Sequence, residues 1–165
     1  MLPDDLTGLA EDVLQRCRER GHMLATAESC TGGLIVGCLT EIAGSSDVVD
    51  RGFVTYSNAA KNQMLGVPMS LIEEHGAVSE PVARAMAEGA IVHSDADLSI
   101  AVTGVAGPGG GSPDKPVGLV HLASAAGVGQ TLHQRMTYGD LGRDGIRRET
   151  LRDALEMLLR QLAKD

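Results

Sequence analysis

The feature that most constrains this fold is the regular alternation of short apolar runs with segments of helical periodicity. Five runs have the length and apolar character of strands, the last with edge-strand alternation: residues 22–27, 52–56, 98–104, 118–125 and 131–138. Helical patterns fill most of the stretches between them, and a long amphipathic helix is predicted over 143–163. Alternating helices and strands predict an α/β fold, a three-layer α/β/α sandwich with a mixed, mostly parallel sheet of about five strands.

Local signals mark the starts of two predicted helices. Asn58 is a candidate N-cap for the helix that follows the second strand. Ser79, with an acid and a proline directly after it, predicts a capping hydroxyl at the start of a helix that runs to about Ser94. We find no internal repeat, linker or low-complexity tail, and we therefore predict a single domain over residues 1–165.

Composition and charge exclude several classes of protein. With 14 basic and 22 acidic residues the net charge is −8, which argues against a general nucleic-acid surface, because phosphate binding needs clustered Lys and Arg. The aromatic side chains Phe53, Tyr56 and Tyr138 are too few for a platform that stacks bases. No apolar run approaches the roughly 18 residues of a membrane span, and the first residues lack a signal-peptide pattern. We expect a cytoplasmic protein with no direct nucleic-acid partner and no membrane partner.

The cysteines and histidines form no disulfide or metal-binding pattern. Cys17, Cys30 and Cys38 are odd in number, which suits a reducing compartment rather than a disulfide framework. There is no C-x-x-C or H-E-x-x-H motif, and the histidines are scattered without ligand spacing. The sequence therefore predicts no metal site, and we expect no cofactor.

Polar motifs follow three of the predicted strands, at the carboxyl ends where α/β sheets bind ligands. The first motif, AESCTGG over 27–33, runs directly from a strand into a helix. Ser29 is a candidate nucleophile there, because backbone N–H groups before a helix can stabilise a developing negative charge. The alternative is simple capping by Ser29 or Thr31, with the two glycines allowing tight packing. Cys30 is a rival nucleophile, since a helix N-terminus lowers the pKa of a thiol, but no histidine stands in a motif that would partner it.

The second motif, YSNAAK over 56–61, places a lysine in the first turns of a helix. The helix dipole disfavours a charged Lys61 there and lowers its pKa slightly. A neutral lysine can act as the general base for a serine, which makes Lys61 a candidate base for Ser29. The alternatives are that Lys61 is a solvated surface lysine and that Tyr56 only packs.

The third motif is TGVAGPGGGSPDKP, over 103–116. Its glycines let backbone N–H groups approach an anion closely. It is not a P-loop, because no Gly-Lys-Ser/Thr follows the glycines, and its prolines forbid the helix that a dinucleotide-binding G-x-G-x-x-G would open. The alternative is a lid or a hairpin connection.

The order of these motifs is more specific than any one of them. AESCTGG is followed by DRGFVTYSNAAK over 50–61, HGAVSEPVA over 75–83 and VTGVAGPGGGSPDKPVG over 102–118. This succession resembles the CinA carboxy-terminal domain family, also known as nicotinamide-nucleotide amidohydrolases. The resemblance extends from Leu6 to the last helix, and it implies the stand-alone form of that domain.

The resemblance implies deamidation of nicotinamide mononucleotide to nicotinic acid mononucleotide and ammonia, without a metal. The family's serine nucleophile corresponds to Ser29, and its lysine base corresponds to Lys61. Its accompanying tyrosine and threonine correspond to Tyr56 and Thr103. In the implied mechanism Lys61 takes the Ser29 proton, Oγ attacks the carboxamide, and water hydrolyses the acyl-enzyme.

A late arginine of the family corresponds to Arg143, which with the amides of loop 104–111 would bind the phosphate. Relatives often have Gly-Asp-Arg before the last helix, whereas this chain has GDLGR. Either two residues are inserted after Asp140, or Gly142 stands where the acid usually is. Backbone N–H groups near Cys30 to Gly33, or at the corner of Thr103 and its following glycine, would hold the oxyanion. The candidate substrate-binding residues are Thr31, Gly32, Gly33, Asn58, Gly104, Ala106, Gly107 and Arg143.

The main alternative is a non-catalytic nucleotide-binding or regulatory module, since family members are associated with competence and DNA damage. The presence of Ser29, Lys61 and Thr103 together favours the enzyme, because a binding module needs no nucleophile and base. A third hypothesis is a Cys30 enzyme, or a serine amidase with another amide substrate. We expect a homo-oligomer, with a dimer favoured, whose partner is the small-molecule substrate.

Overall fold

The computed structural model describes residues 2–127 and 131–164. The helices in these residues are α1 (Asp4–Arg20), α2 (Leu34–Thr40), α3 (Asn58–Leu65), α4 (Met69–His75), α5 (Glu80–Val92) and α6 (Gly142–Leu162). The strands are β1 (Leu24–Glu28), β2 (Val49–Val54), β3 (Leu98–Gly104), β4 (Leu119–Ala126) and β5 (Leu132–Thr137). In the described ranges no helix has the length and apolar character needed to cross a membrane.

The strands form one sheet in the order β2-β1-β3-β4-β5. β1 pairs parallel with both β2 and β3, whereas β4 pairs antiparallel with both β3 and β5. Four of these five strands therefore point in the same direction, and β4 opposes them. This arrangement confirms the mixed, mostly parallel sheet of an α/β fold, and it confirms that the run 131–138 forms an edge strand.

Helices cover both faces of the sheet, as the three-layer prediction requires. One face packs against α1, α2 and α6 around large aliphatic side chains such as Leu24 and Ile100. The other face packs against α5, with α3 and α4 beside it, and it is lined by small side chains such as Ala27 and Ala101. Gly89 of α5 meets the end of α3 so closely that a Cβ there would lie 2.1 Å from the carbonyl oxygen of Leu65. The close approach of α5 keeps α3, which carries Lys61, against the carboxyl edge of the sheet.

Two helix starts differ from the predictions. Ser57, not Asn58, caps α3: its Oγ accepts the N–H of Ala60 at 3.0 Å, and Asn58 is the first helical residue. The Ser79 hydroxyl does not cap α5, because it donates to the carbonyl oxygen of Gly76 at 2.8 Å. The conformation of the preceding loop decides which neighbouring polar side chain reaches the helix N–H groups.

The second strand also begins earlier than its apolar run. β2 covers Val49–Val54 rather than 52–56, and it includes the half-buried Asp50 and the exposed Arg51. Because β2 lies at the edge of the sheet, polar side chains can join it and still contact solvent. Within β2 the buried side chain is that of Phe53, and hydrogen bonding rather than burial sets the bounds of this strand.

Candidate active site

The carboxyl ends of the three parallel strands meet at one edge of the sheet. The turn after β1 is held on both sides, because β1 lies between β2 and β3. The N–H of Ser29 donates to the carbonyl oxygen of Val102 in β3 at 3.1 Å. The N–H of Thr55, just after β2, donates to the carbonyl oxygen of Glu28 at 2.8 Å. The main chain thus fixes Ser29 between the ends of two neighbouring strands.

The Ser29 hydroxyl and the Lys61 amine are in direct contact, as the strand-end argument predicts. Lys61 Nζ lies 2.9 Å from Ser29 Oγ, and it also donates to the carbonyl oxygen of Thr55 at 2.9 Å. Lys61 is 1% exposed and Ser29 is 8% exposed. The alternative of a solvated surface lysine is therefore wrong.

The surroundings of Lys61 disfavour its charged form. Burial lowers the pKa of the Lys61 ammonium below its ordinary value, because a cation is poorly solvated inside the protein. The neighbouring Cys30 opposes this shift by a smaller amount, and within 2–127 and 131–164 no carboxylate opposes it. The polar contacts of Nζ are the Ser29 hydroxyl and main-chain carbonyl groups. This environment favours the neutral amine, which is the form that can accept a proton.

Cys30 is not placed to act as the nucleophile. Its side chain is 6% exposed and belongs to the apolar core between the sheet and α1, α2 and α6. Burial raises the pKa of the Cys30 thiol to about 11, and the thiolate is therefore scarce near neutral pH. The expected lowering by a helix N-terminus is outweighed by this burial.

The turn that carries Ser29 is not a simple helix cap. α2 begins at Leu34, and its N-cap is Gly33, which adopts a φ of 102°. Neither Ser29 nor Thr31 donates or accepts a capping hydrogen bond there, and the capping alternative is therefore wrong. The first N–H groups of α2 are taken by another side chain.

The cap comes instead from Glu28, whose carboxylate is fully buried below the turn. Its oxygens accept the N–H groups of Gly33, Ile35 and Val36 at 3.2, 2.9 and 3.1 Å. The sequence reasoning missed this residue, although an acid that ends an apolar strand is a signal of a buried, bonded carboxylate. We call Glu28, the turn 29–33 and Lys61 the nucleophile corner.

Tyr56 and Arg143 meet in the exposed part of the site. Arg143 donates from Nη2 to the Tyr56 hydroxyl at 3.2 Å and from Nη1 to the carbonyl oxygen of Gly107 at 2.9 Å. Tyr56 is 63% exposed, and it therefore does not serve to pack the core. The GDLGR segment still brings Arg143, in the first turn of α6, onto the glycine-rich loop. We call Tyr56, Gly107 and Arg143 the Arg143 cluster.

Thr103 lies one strand away from the nucleophile. It is buried in β3, and its hydroxyl donates to the carbonyl oxygen of Ala77 at 2.9 Å. Among the described contacts, none joins this hydroxyl to Ser29 or Lys61. The structure therefore places Thr103 beside the nucleophile corner and ties it to the connection between α4 and α5.

Several of the candidate binding residues are explained by packing. A Cβ at Gly104 would lie 2.7 Å from the Val120 side chain, and a Cβ at Gly107 would lie 2.6 Å from the Val117 side chain. Ala106 is buried, whereas residues 108–114 of the same loop are exposed. Asn58 begins α3, and no contact in the described structure joins its side chain to Ser29 or Arg143. The exposed stretch 108–114 remains the part of this loop that an anion can reach.

A second pair of titratable side chains lies opposite Thr103 in the antiparallel part of the sheet. His121 Nδ1 is 2.9 Å from His133 Nε2, and His133 is 3.6 Å from Glu80. Burial lowers the pKa of His121 to about 4. Over the ranges that the structure describes, no group of three His, Cys, Asp or Glu side chains is arranged to hold a metal ion.

Comparisons with known proteins match this chain along nearly its whole length. The family model described as the CinA C-terminal domain matches residues 6–162. Nicotinamide-nucleotide amidohydrolase PncC of Escherichia coli is 46% identical over 166 residues, which cover 100% of this chain and 99% of that protein. A CinA-like protein of Anaeromyxobacter dehalogenans is 51% identical over 150 residues, which cover 91% of this chain but 36% of that protein. This chain therefore spans well under half the length of the CinA-like relatives.

Solved structures agree with the family match. The competence/damage inducible protein CihA from Agrobacterium tumefaciens superposes with a TM-score of 0.96 at 56% identity, over 99% of this chain and 98% of that chain. The competence damage-inducible protein A from Klebsiella pneumoniae superposes with a TM-score of 0.91 at 36% identity, over 96% of this chain and 97% of that one. Both solved structures therefore share the fold over at least 96% of this chain.

Proposed function

This chain belongs to the CinA C-terminal domain family, and we propose that it deamidates nicotinamide mononucleotide to nicotinic acid mononucleotide and ammonia. The relative named nicotinamide-nucleotide amidohydrolase PncC matches it from end to end, which supports an amidohydrolase. The observation that carries the proposal is the buried contact of 2.9 Å between Lys61 Nζ and Ser29 Oγ. On this proposal the matched residues 6–162 work as one catalytic domain.

The proposed reaction is an acyl transfer through Ser29. Neutral Lys61 accepts the hydroxyl proton while Ser29 Oγ attacks the carboxamide carbon of the nicotinamide ring. The C–N bond breaks as the lysine returns this proton to the departing nitrogen, and ammonia leaves. Water, deprotonated by the same amine, then attacks the ester and releases the acid and Ser29. The positive pyridinium ring makes the carboxamide carbon more electrophilic.

Two backbone N–H groups of the nucleophile corner are available for the oxyanion. The N–H of Gly32 already donates to the carbonyl oxygen of Ser29, and the N–H of Gly33 already donates to the carboxylate of Glu28. In the described structure no other residue accepts a hydrogen bond from the N–H groups of Cys30 and Thr31, and the N–H of Cys30 contacts only its own sulfur. The residue after the nucleophile commonly supplies such a donor, and we therefore assign the oxyanion site to Cys30 and Thr31.

The Arg143 cluster is the proposed binding site for the phosphate. Arg143 keeps its charge in any protein environment, and its partners are neutral oxygens of Tyr56 and Gly107 rather than carboxylates. The exposed loop 108–114 lies next to it and can add backbone N–H groups. In a chain with a net charge of −8, such an arginine supplies the local positive potential that an anionic substrate needs.

Ammonia release from nicotinamide mononucleotide, measured beside nicotinamide, its riboside and glutamine, tests the proposed function. We expect the mononucleotide to react fastest, and we expect Ser29→Ala to lower kcat by about 10⁴-fold or more while binding is retained. Binding of the mononucleotide without ammonia release would instead establish the non-catalytic nucleotide-binding or regulatory module. Faster hydrolysis of another amide would establish a serine amidase with a different substrate.

A further inference from the structure

The carboxylate of Glu28 has four donors and no exposure to solvent. Oε1 accepts the N–H groups of Gly33 and Ile35, and Oε2 accepts the N–H of Val36 and the hydroxyl of Thr26 at 3.2 Å. The first N–H groups of a helix have no partner within the helix, and a carboxylate is a suitable acceptor for them because all its hydrogen-bonding sites accept. Three of the four donors therefore belong to the start of α2, and the fourth is the Thr26 hydroxyl of β1.

The position of Glu28 in the chain links this cap to the nucleophile. Its main chain ends β1 and precedes Ser29 directly, while its side chain holds the start of α2. The turn 29–33 is therefore clamped at both ends by one residue. Because Glu28 occupies the N–H groups of the helix start, the donors left near the nucleophile are those of Cys30 and Thr31.

The neighbouring strand leaves space for this network. A Cβ at Gly52 of β2 would lie 2.9 Å from Thr26 Oγ1 and 3.0 Å from the Val36 side chain. A larger residue at this position would press on the hydroxyl that bonds Glu28 and on the helix that Glu28 caps. The glycine at position 52 therefore leaves the room that the hydrogen bonds of Glu28 to Thr26 and to α2 require.

We propose that Glu28 is a positioning residue, which holds the turn 29–33 so that the Cys30 and Thr31 N–H groups remain aimed at the oxyanion formed on Ser29. This inference rests on the proposed function, since it presumes an acyl transfer at Ser29. A buried carboxylate that only stabilised the fold would affect the amount of folded protein. A positioning residue also affects the rate at each correctly folded site.

Glu28→Gln tests the proposal with little change in volume. The amide NH₂ takes the place of an oxygen that accepts hydrogen bonds. Because an NH₂ group can only donate, it cannot bond the N–H groups of α2 that it faces. We expect kcat for each folded site to fall by about 10- to 100-fold, with KM changed by less than about threefold. The pH midpoint of kcat should remain, because the Lys61 contact with Ser29 is untouched. Sites are counted by titration with a fluorophosphonate, which phosphonylates an activated serine.

Ser99→Ala is the matched control, because Ser99 is also buried in a strand and bonds a helix, through the carbonyl oxygen of Ala87 at 2.7 Å. Its kcat for each titrated site should stay within about twofold of the unmodified chain. Should Glu28→Gln not fold, Thr26→Val removes one donor from the carboxylate, and it should lower kcat by about two- to fivefold. The proposal is overturned if folded Glu28→Gln has the same kcat for each titrated site as Ser99→Ala. Where Glu28→Gln does not fold, the same result for Thr26→Val overturns it.

The phosphonylation rate separates this inference from the proposed function. The phosphoryl oxygen occupies the oxyanion site during phosphonylation, and no nucleotide is involved. If the unmodified chain releases no ammonia but its Ser29 is phosphonylated faster than in Glu28→Gln, the proposed function fails and Glu28 retains its role. Equal phosphonylation rates in the two proteins would overturn the role of Glu28 alone. Absence of phosphonylation at Ser29 of the unmodified chain would overturn both.

Discussion

The nucleophile corner and the Arg143 cluster share one edge of the sheet, but they are built in opposite ways. In the corner, Lys61 and Glu28 are buried and bonded to main-chain groups that are themselves fixed by the sheet and by α2. In the cluster, Tyr56 and Arg143 are exposed and hold each other through a single contact of 3.2 Å. Buried, fully bonded groups suit bond making, where a displacement of about 1 Å costs rate, whereas exposed groups suit a ligand that enters and leaves.

The two regions also treat their basic side chains differently. Burial lowers the pKa of Lys61, and this change suits a group that accepts a proton. The Arg143 guanidinium stays charged, which suits a group that binds an anion. We therefore expect substitutions in the corner to lower kcat and substitutions in the cluster to raise KM.

After the nucleophile itself, the largest expected effect is at Lys61. Lys61→Ala should lower kcat by about 10²- to 10⁴-fold while the protein still folds and binds the mononucleotide. Lys61→Arg should lose as much, because a guanidinium cannot release its proton near neutral pH. Ammonia release and calorimetric binding measure the two effects. Lys115→Ala is the control, since Lys115 also donates to a main-chain carbonyl, that of His75. Substantial activity in Lys61→Arg would make Lys61 an electrostatic holder of the substrate and place the base elsewhere.

The pH dependence of kcat tests the same lysine independently. A protonated Lys61 cannot accept the Ser29 proton, and kcat should therefore rise with pH through the lowered pKa of Lys61 and level off above it. The rise should occur at lower pH than the ordinary lysine pKa of about 10.4 would allow. Stopped assays across pH measure this profile. A profile that is flat from about pH 5 to 9 would contradict the base role.

A smaller effect, on KM, is expected at Arg143. Arg143→Ala should raise KM for the mononucleotide by about 10- to 100-fold and change kcat by less than about threefold, because a contact made equally in the ground and transition states contributes to binding only. KM for the riboside, which has no phosphate, should hardly change. Arg148→Ala, an exposed arginine of the same helix, is the control. Equal efficiency of the unmodified chain with riboside and mononucleotide would show that the cluster does not bind phosphate.

Much of the corner could be predicted from the sequence, because strand ends in an α/β sheet decide which loops meet. The run 98–104 matches β3 in both of its ends, and the parallel neighbours of β1 follow from the alternation of helices and strands. The contact between Ser29 and Lys61 needs only that two neighbouring strands end side by side, with a helix starting behind one of them.

Other parts of the site depend on backbone conformation, which the spacing of apolar residues along the sequence does not reveal. Ser57 and Asn58 are both good caps, and the extended conformation at Ser57 decides between them. The side chain of Glu28 alternates away from the face that packs against α5, and this direction places it under α2 rather than in solvent. The bond from Arg143 to the carbonyl oxygen of Gly107 depends on where that carbonyl lies. Its place is set by the packing of Gly107 against Val117 within the loop, which the sequence pattern does not reveal.

The smallest expected effect is at Cys30, and it tests which part of the nucleophile corner is used. If the oxyanion contacts the main chain, Cys30→Ala keeps the donor and loses only packing, and kcat should fall by about two- to fivefold. The thiol itself has a pKa raised by burial to about 11, which leaves little thiolate to attack an amide near neutral pH. Ammonia release by the folded variant, compared with iodoacetamide treatment of the unmodified chain, measures both contributions. A loss of more than about 100-fold in a folded Cys30→Ala protein would identify the thiol as the nucleophile and would leave Ser29 as its neighbour.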